Sequence, residues 1–438
     1  MLETVSNAFK VKEIRNKLIF VFLMLIVIRL GCQIPVPGVN REFFAEWFAQ
    51  MAGDSFDIFD AFTGGSFINM SIFALNITPY ITSSIIMQLL TIAIPKLEEM
   101  QREGEDGRKK IMSITRYVTI GLSLIESTAM AIGFGNQGLL QTYDALSIIT
   151  VIVTLTAGSA FLMWIGEQIT EYGVGNGISI VLTINIVSRI PSDFHSLYTM
   201  FVEGKPVAIG ALSAVIILAI VLVTVVLTIL LNGAERRIPV QYSKKVQGRK
   251  VSGGQTTHIP LKVNTGGVIP IIFASSIMQF PVVIAQLLGR SHGTGFGAQI
   301  LKGLSSSNWC KPAEPVYTIG LFVYVALVIF FAYFYTSITF NPLEVADNMK
   351  KNGGFIPGIR PGKPTTEHLT NMLNYIIFIG AVGLTIVALI PIIFNGLFGA
   401  DVSFGGTSLI IIVGVILETI KQIESMMVVR HYKGFLNK

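Results

Sequence analysis

The sequence predicts an all-α polytopic membrane protein with ten transmembrane helices in two inverted five-helix halves, and three observations predict it. Hydrophobic residues make up 52% of the 438 positions and charged residues only 13%, about half the charged share of an ordinary soluble domain. Apolar stretches near the roughly 20 residues that a bilayer requires recur along the chain at 18–37, 72–94, 112–133, 147–166, 178–190, 208–231, 267–288, 316–339, 372–393 and 407–424. Lysine and arginine crowd alternate connections. Of 32 such residues, 25 fall on the side of the two termini and six on the other, with Arg29 inside the first span. Positive residues stay cytoplasmic, so both termini are expected there.

In order, the basic segment Met1–Lys17 precedes an apolar run too long for a signal-peptide core and without an obvious cleavage site, so it reads as a retained first span. A short apolar patch from Ile58 to Phe67 follows, broken by Gly64 and Gly65. It is too short to span. Glycine lets the backbone fold back, and lipid tolerates such a re-entrant segment only where protein or a water-filled cavity surrounds it. The next span carries Pro79, with Ile77 and Ile81 at i and i+4 on one helical face. The fifth span is short and glycine-led. The connection 167–177 carries no positive residue and is placed inside by alternation alone.

The spans divide into an N-terminal half, residues 1–190, and a C-terminal half, residues 208–438, joined by an external hinge loop at 191–207. Five spans per half force opposite orientations, the inverted-repeat arrangement in which the functional site lies between the halves. This rests on counting, since no clear self-similarity is visible. Glycine or proline interrupts the interface helices at Pro79, at Gly173, Gly175 and Gly177, at Gly266, Gly267 and Pro270, and at Gly405 and Gly406.

Enzyme chemistry finds little support. The run Gly358 to Lys363 has the wrong spacing for a phosphate loop, and Pro364 stands where a magnesium-binding hydroxyl belongs. The five histidines, 195, 258, 292, 368 and 431, are all expected in loops, and no HExxH or GxSxG pattern occurs. No cofactor is expected. Cys32 and Cys310 do not form a disulfide framework and are read as free thiols. A secondary transporter is the stronger rival, because broken helices suit it equally well. Its coupling would need midplane charges, for which Arg29 and Glu126 are the mid-span candidates.

Several stretches stand out together: SIFALNITPYITSSIIMQLL (Ser71 to Leu90), WIGEQITEYGVGNGISIVL (Trp164 to Leu182), PVPGVN (Pro35 to Asn40), GQTTHIPLKVN ending at Asn264, the run Asn341 to Thr365, and FGGTSL (Phe404 to Leu409). In their order along the chain they resemble the SecY family, the central subunit of the protein-translocation channel. Two positions depart from the family's pattern. Asn76 stands where glycine is usual, and Glu126 is an unusual ionisable residue in the third span.

The resemblance implies an hourglass pore closed at the waist by a ring of Ile77, Ile81, Leu182, Ile272 and Ile411. A plug at about 57–67 would contain Phe59, Phe62, Gly64, Gly65 and Phe67. It also implies a lateral gate in which Gln88 and Thr91 face Ser275, Ser276 and Gln279, polar groups able to hydrogen-bond across the closed seam. The connection 232–266 carries seven positive residues, and long connections are commonly functional. By resemblance it and 340–371 dock partners through Lys244, Lys245, Arg249, Lys250 and Arg360. Glycine and proline around Arg360 pre-shape turns that hold it outward. The implied partners are the small SecE and SecG membrane subunits, the SecA motor ATPase, the ribosome through RNA phosphates, signal sequences and membrane lipids. The implied location is the bacterial cytoplasmic membrane, and the implied function is to pass unfolded secretory polypeptides and release hydrophobic segments sideways into lipid.

Overall fold

The computed structural model describes residues 9–47, 63–135, 138, 140–203, 206–242, 245–247, 250–252, 256–287, 296–305, 308–312, 314–398 and 406–436. Each of the ten predicted stretches contains a helix. Helix α1 (Lys12–Gly31) leads through a turn to the short α2 (Arg41–Trp47), whose start is capped by Asn40 Oδ1 accepting from the Phe43 amide at 3.3 Å. The PVPGVN segment between them is woven into two others. The Val36 amide donates to the Met70 carbonyl at 3.0 Å, the Ile72 amide to the Ile34 carbonyl at 2.9 Å, and the Gln141 amide to the Gly38 carbonyl at 3.1 Å.

The second span is helical only as α3 (Thr78–Ala93), with Pro79 in its first turn, where a missing N–H does no harm. Residues 64–77 approach it through turns. A sharp bend of 105° at Ile94 then leads into the amphipathic α4 (Pro95–Arg102). Helix α5 (Glu105–Phe134) opens with two acidic residues, Glu105 and Asp106, at its positive dipole end. Its buried Thr115, Thr119, Ser123 and Ser127 lie four residues apart and form one face. Thr119 bonds to Ser83 on α3, and Ser127 to Thr156 on α6 (Ala145–Tyr172) at 3.0 Å. Small hydroxylic residues of this kind allow close helix approach in lipid.

Two sequence expectations are corrected in the next helix, α7 (Gly177–Phe201). The fifth span is not short, and residues 191–201 of the expected hinge loop are helical with Pro191 inside the helix. Asn176 starts this helix firmly, its side chain accepting from the Ile178 and Ser179 amides at 3.1 and 3.3 Å. Helix α8 (Val207–Gly233) follows.

The basic connection is not a loop. Strands β1 (Glu235–Tyr242) and β4 (Thr256–Lys262) pair antiparallel from Glu235 opposite Lys262 to Gln241 opposite Thr256. Between them β2 (Lys245–Gln247) and β3 (Lys250–Ser252) form a second hairpin. Beyond α9 (Ile269–Leu287), α10 (Phe296–Leu304) and α11 (Ile319–Thr339) comes α12 (Pro342–Lys351), and then β5 (Gly354–Phe355), which pairs with β1. Helices α13 (Lys363–Phe398) and α14 (Gly406–Leu436) complete the chain.

Among the described residues five helices are long and apolar enough to cross a membrane on that ground alone, and six if the bent α3–α4 pair is one span. The histidine expectation is also corrected. His195, His368 and His431 lie in helices and His258 in β4, while His292 lies outside the described residues.

Candidate pore, gate and docking surfaces

The five expected ring residues meet in one apolar cluster. Ile77, Leu182 and Ile411 are buried there, and Ile81 and Ile272 pack against it. They come from separate parts of the chain: the entry and first turn of α3, then α7, α9 and α14. Each of these helices begins near a glycine, proline or capping asparagine that starts it short of the preceding span. Branched apolar side chains offer no group to replace an ion's hydration shell, so such a cluster closes a passage by excluding water.

Of the expected plug residues, Phe59 and Phe62 lie outside the described residues. Gly64 and Gly65 adopt left-handed φ values of 66° and 84°, which only glycine takes readily. Phe67 is buried in a second cluster, with its ring centroid 5.7 Å from that of Phe44, itself 5.5 Å from Phe134. Asn76 has a φ of 52°, and asparagine is among the few residues that tolerate this region. The departure from glycine thus keeps the backbone shape and adds a side chain. Sequence reasoning missed its partner. Asn185 Nδ2 donates to Asn76 Oδ1 at 3.0 Å, both residues being buried. An asparagine inside the apolar run Leu182 to Val187 was the available signal.

The expected polar gate is organised differently. Thr91 donates to the Met87 carbonyl of its own helix at 2.7 Å, and Ser275 to the Ile271 carbonyl at 2.7 Å. Those hydroxyls are satisfied internally rather than across the seam. Gln88 is half-buried and Ser276 exposed, and Gln279 lies on α9, whose backbone alone is described at that position. From α3, Ile85 packs against an apolar cluster that includes Ile271, Phe273 and Ala274 of α9.

Two polar links brace helices against one another. Arg116 on α5 pairs with Glu167 on α6 at 2.7 Å, which gives the connection 167–177, itself without a positive residue, a cation from a neighbouring helix. In the second signature stretch, the Gly175 amide donates to Gln422 Oε1 of α14 at 2.7 Å.

The described residues expected to dock partners belong to a small folded arm. Its core is Ile238, Val240, Leu261, Ala346, Met349, Ile356, Leu369 and Ile376, drawn from β1, β4, α12, α13 and the residue after β5. Lys245 and Lys250 lie on the β2–β3 hairpin, whereas Lys244 and Arg249 fall outside the described residues. Arg360 is exposed, as the turn chemistry predicts. Buried Thr365 donates through Oγ1 to the Arg360 carbonyl at 2.8 Å, and Gly358 and Gly362 flank it at φ values of 85° and 105°. Among the described residues no group of three or more His, Cys, Asp or Glu side chains could hold a metal ion.

A mostly helical membrane protein in which five branched apolar side chains from separate parts of the chain meet in one cluster, and which carries a basic folded arm, is a channel by class. Comparison with known proteins narrows this. A family model described as SecY matches residues 71–420. The protein translocase subunit SecY of Bacillus licheniformis is 44% identical over 445 residues, covering 100% of both chains, and that of Thermotoga maritima is 41% identical, covering 100% of this chain and 98% of its own. Among solved structures, a protein-conducting channel aligns with a TM-score of 0.61 at 18% identity, covering 93% of this chain and 91% of that one. Sec61 in the canine ribosome-channel complex from the endoplasmic reticulum aligns at 0.58 and 17%, with the same coverage. The structural likenesses show the fold. The family match and the relatives show the family: this chain belongs to the SecY family.

Proposed function

We propose that this chain is the pore-forming subunit of a protein-conducting channel of the bacterial cytoplasmic membrane. It passes unfolded secretory polypeptides and releases hydrophobic segments laterally into lipid. The observation that carries this reading is the convergence of Ile77, Ile81, Leu182, Ile272 and Ile411 from four helices into one apolar cluster. A ring of flexible aliphatic side chains has no fixed partner for any particular polypeptide, so passage is independent of sequence, while ions meet a dewetted constriction when the ring is closed. It makes a channel rather than an enzyme of the chain.

The segment 57–67 serves as plug, and the apolar seam between α3 and α9 as lateral exit. Both termini and the basic arm lie in the cytoplasm on this reading, which the excess of lysine and arginine on one side supports. There Lys244, Lys245, Arg249, Lys250 and Arg360 face the SecA motor or ribosomal RNA phosphates, while the SecE and SecG subunits sit against the lipid-facing helices. The relatives' name as translocase subunits and the ribosome-bound state of the canine neighbour support these partners. The test is reconstitution with small single-span subunits and SecA in vesicles. ATP-dependent uptake of a secretory precursor is expected, and uptake of small solutes by the chain alone, without precursor transport, would overturn the reading in favour of a transporter.

A further inference from the structure

A polar contact lies in the waist, and it joins the two segments that carry the first three ring residues. Asn76 immediately precedes Ile77, and Asn185 lies one helical turn beyond Leu182, about 12 Å along α7 from Gly177 at 1.5 Å per residue. Their relative exposures are 0% and 1%. Asn185 also receives the plug side of the chain. A Cβ on Gly64 would stand 2.7 Å from the Asn185 carbonyl oxygen and 2.9 Å from its Cα, so only glycine lets the two backbones meet this closely. One residue of α7 therefore holds the Gly64 backbone on its main chain and Asn76 on its side chain.

The pair is incompletely satisfied. Asn185 Nδ2 donates to Asn76 Oδ1 at 3.0 Å, but Asn185 Oδ1 is buried without a hydrogen-bond partner. In a dry waist the bond is favourable, because an unmade bond between buried amides leaves both desolvated. Once the waist opens and water enters, both amides are hydrated, including the oxygen that had no partner. Separating the pair therefore adds a hydrogen bond's net strength to the work of opening, an amount that hydration of the amides in the wet state offsets only in part.

We propose that Asn76 and Asn185 form a polar latch that sets how readily this channel opens, fastening the entry of α3 to α7 when the waist is closed, with Gly64 packed on the same residue of α7. This rests on the reading of the apolar cluster as the constriction. Opening separates the pair, and the entry of α3, with Ile77 next to Asn76, moves away from Leu182 on α7.

The test measures ion conductance of the full chain, with its small partner subunits, in planar bilayers without precursor. Asn76→Gly is the cleanest variant, since glycine takes a φ of 52° without strain. Losing a hydrogen bond of ordinary net strength raises the open fraction about two- to tenfold. Asn185→Ala is expected to do the same, and the double variant to leak no more than the leakier single, as for two partners in one interaction. Precursor transport at matched abundance should persist in Asn76→Gly and tolerate a weakened signal sequence. The ring control is Ile81→Ser. If it leaks while Asn76→Gly matches the parent, or if the two asparagine variants add independently, the latch is overturned and the ring stands. If neither leaks, the ring reading falls and the latch with it.

Discussion

The waist and the basic arm are both organised by buried aliphatic clusters, yet they are connected in opposite ways. In the arm, Ile238 and Val240 sit on a strand paired by hydrogen bonds to β4 on one side and β5 on the other, and α12 and α13 close over them. Separating that cluster means breaking a sheet. In the waist, Ile81, Leu182, Ile272 and Ile411 lie on four separate helices rather than on paired strands, and Ile77 stands at the entry of α3, so they can part without any sheet being broken. Similar side chains thus make a rigid platform in one place and a gate in the other. The difference lies in which backbones are joined.

The comparison is tested most strongly in the arm. Leu369→Ala removes a fully buried side chain and is expected to destabilise the arm by about 2–5 kcal/mol. Limited proteolysis should then cut β1–β4 faster while ion leak stays parental. A leak comparable to that of a ring variant would erase the distinction between platform and gate. At the waist, Ile81→Ser reduces the apolar closure by about 1–2 kcal/mol, on the order of tenfold in leak, with protease resistance of the arm unchanged.

A finer test concerns how the platform presents charge. If Arg360 makes a two-pronged contact from its glycine and proline frame, Arg360→Lys weakens partner binding by about tenfold, because an ammonium cannot reproduce the planar fork. Lys363→Glu should be milder and its effect should shrink with added salt. Equal losses, measured as SecA-driven translocation at matched channel abundance, would leave only a diffuse positive surface. The smallest effect is expected at Cys310, half-buried between α10 and α11, whose thiol burial pushes up in pKa. Less thiolate is present at neutral pH than in a free cysteine, so maleimide labelling should be slower and its rise displaced to higher pH. Labelling that follows a free thiol's pH profile would show that the loop opens readily.

Much of the membrane part was legible because lipid imposes a single length scale on apolar runs, and the meeting of the five ring candidates in one cluster was legible through motif resemblance rather than through periodicity. The arm was less so. Ile238 and Val240 alternate with the exposed Arg237 and Gln241, a period-two signal overshadowed by the density of charge around it. The length of α7 was missed because Pro191 and the polar residues after it read as a stop, although the helix continues. The polar gate was misjudged for a physical reason. A threonine or serine in an apolar helix finds the carbonyl four residues back more easily than a partner on another helix, as Thr91 and Ser275 do.

The bond between Gly175 and Gln422 joins residues 247 positions apart, and this bears on how the molecule is made. At a synthesis rate of about 5–20 residues per second, roughly 12–50 s separate the appearance of the two partners. The ring has the same dependence, since Ile411 belongs to the last helix. A nascent chain therefore spends much of its synthesis with the first half inserted and the waist unclosed. A half-made molecule held in the membrane by a stalled ribosome would lack both its final seal and the clasp on its second signature loop, which makes it a natural target for quality-control proteolysis.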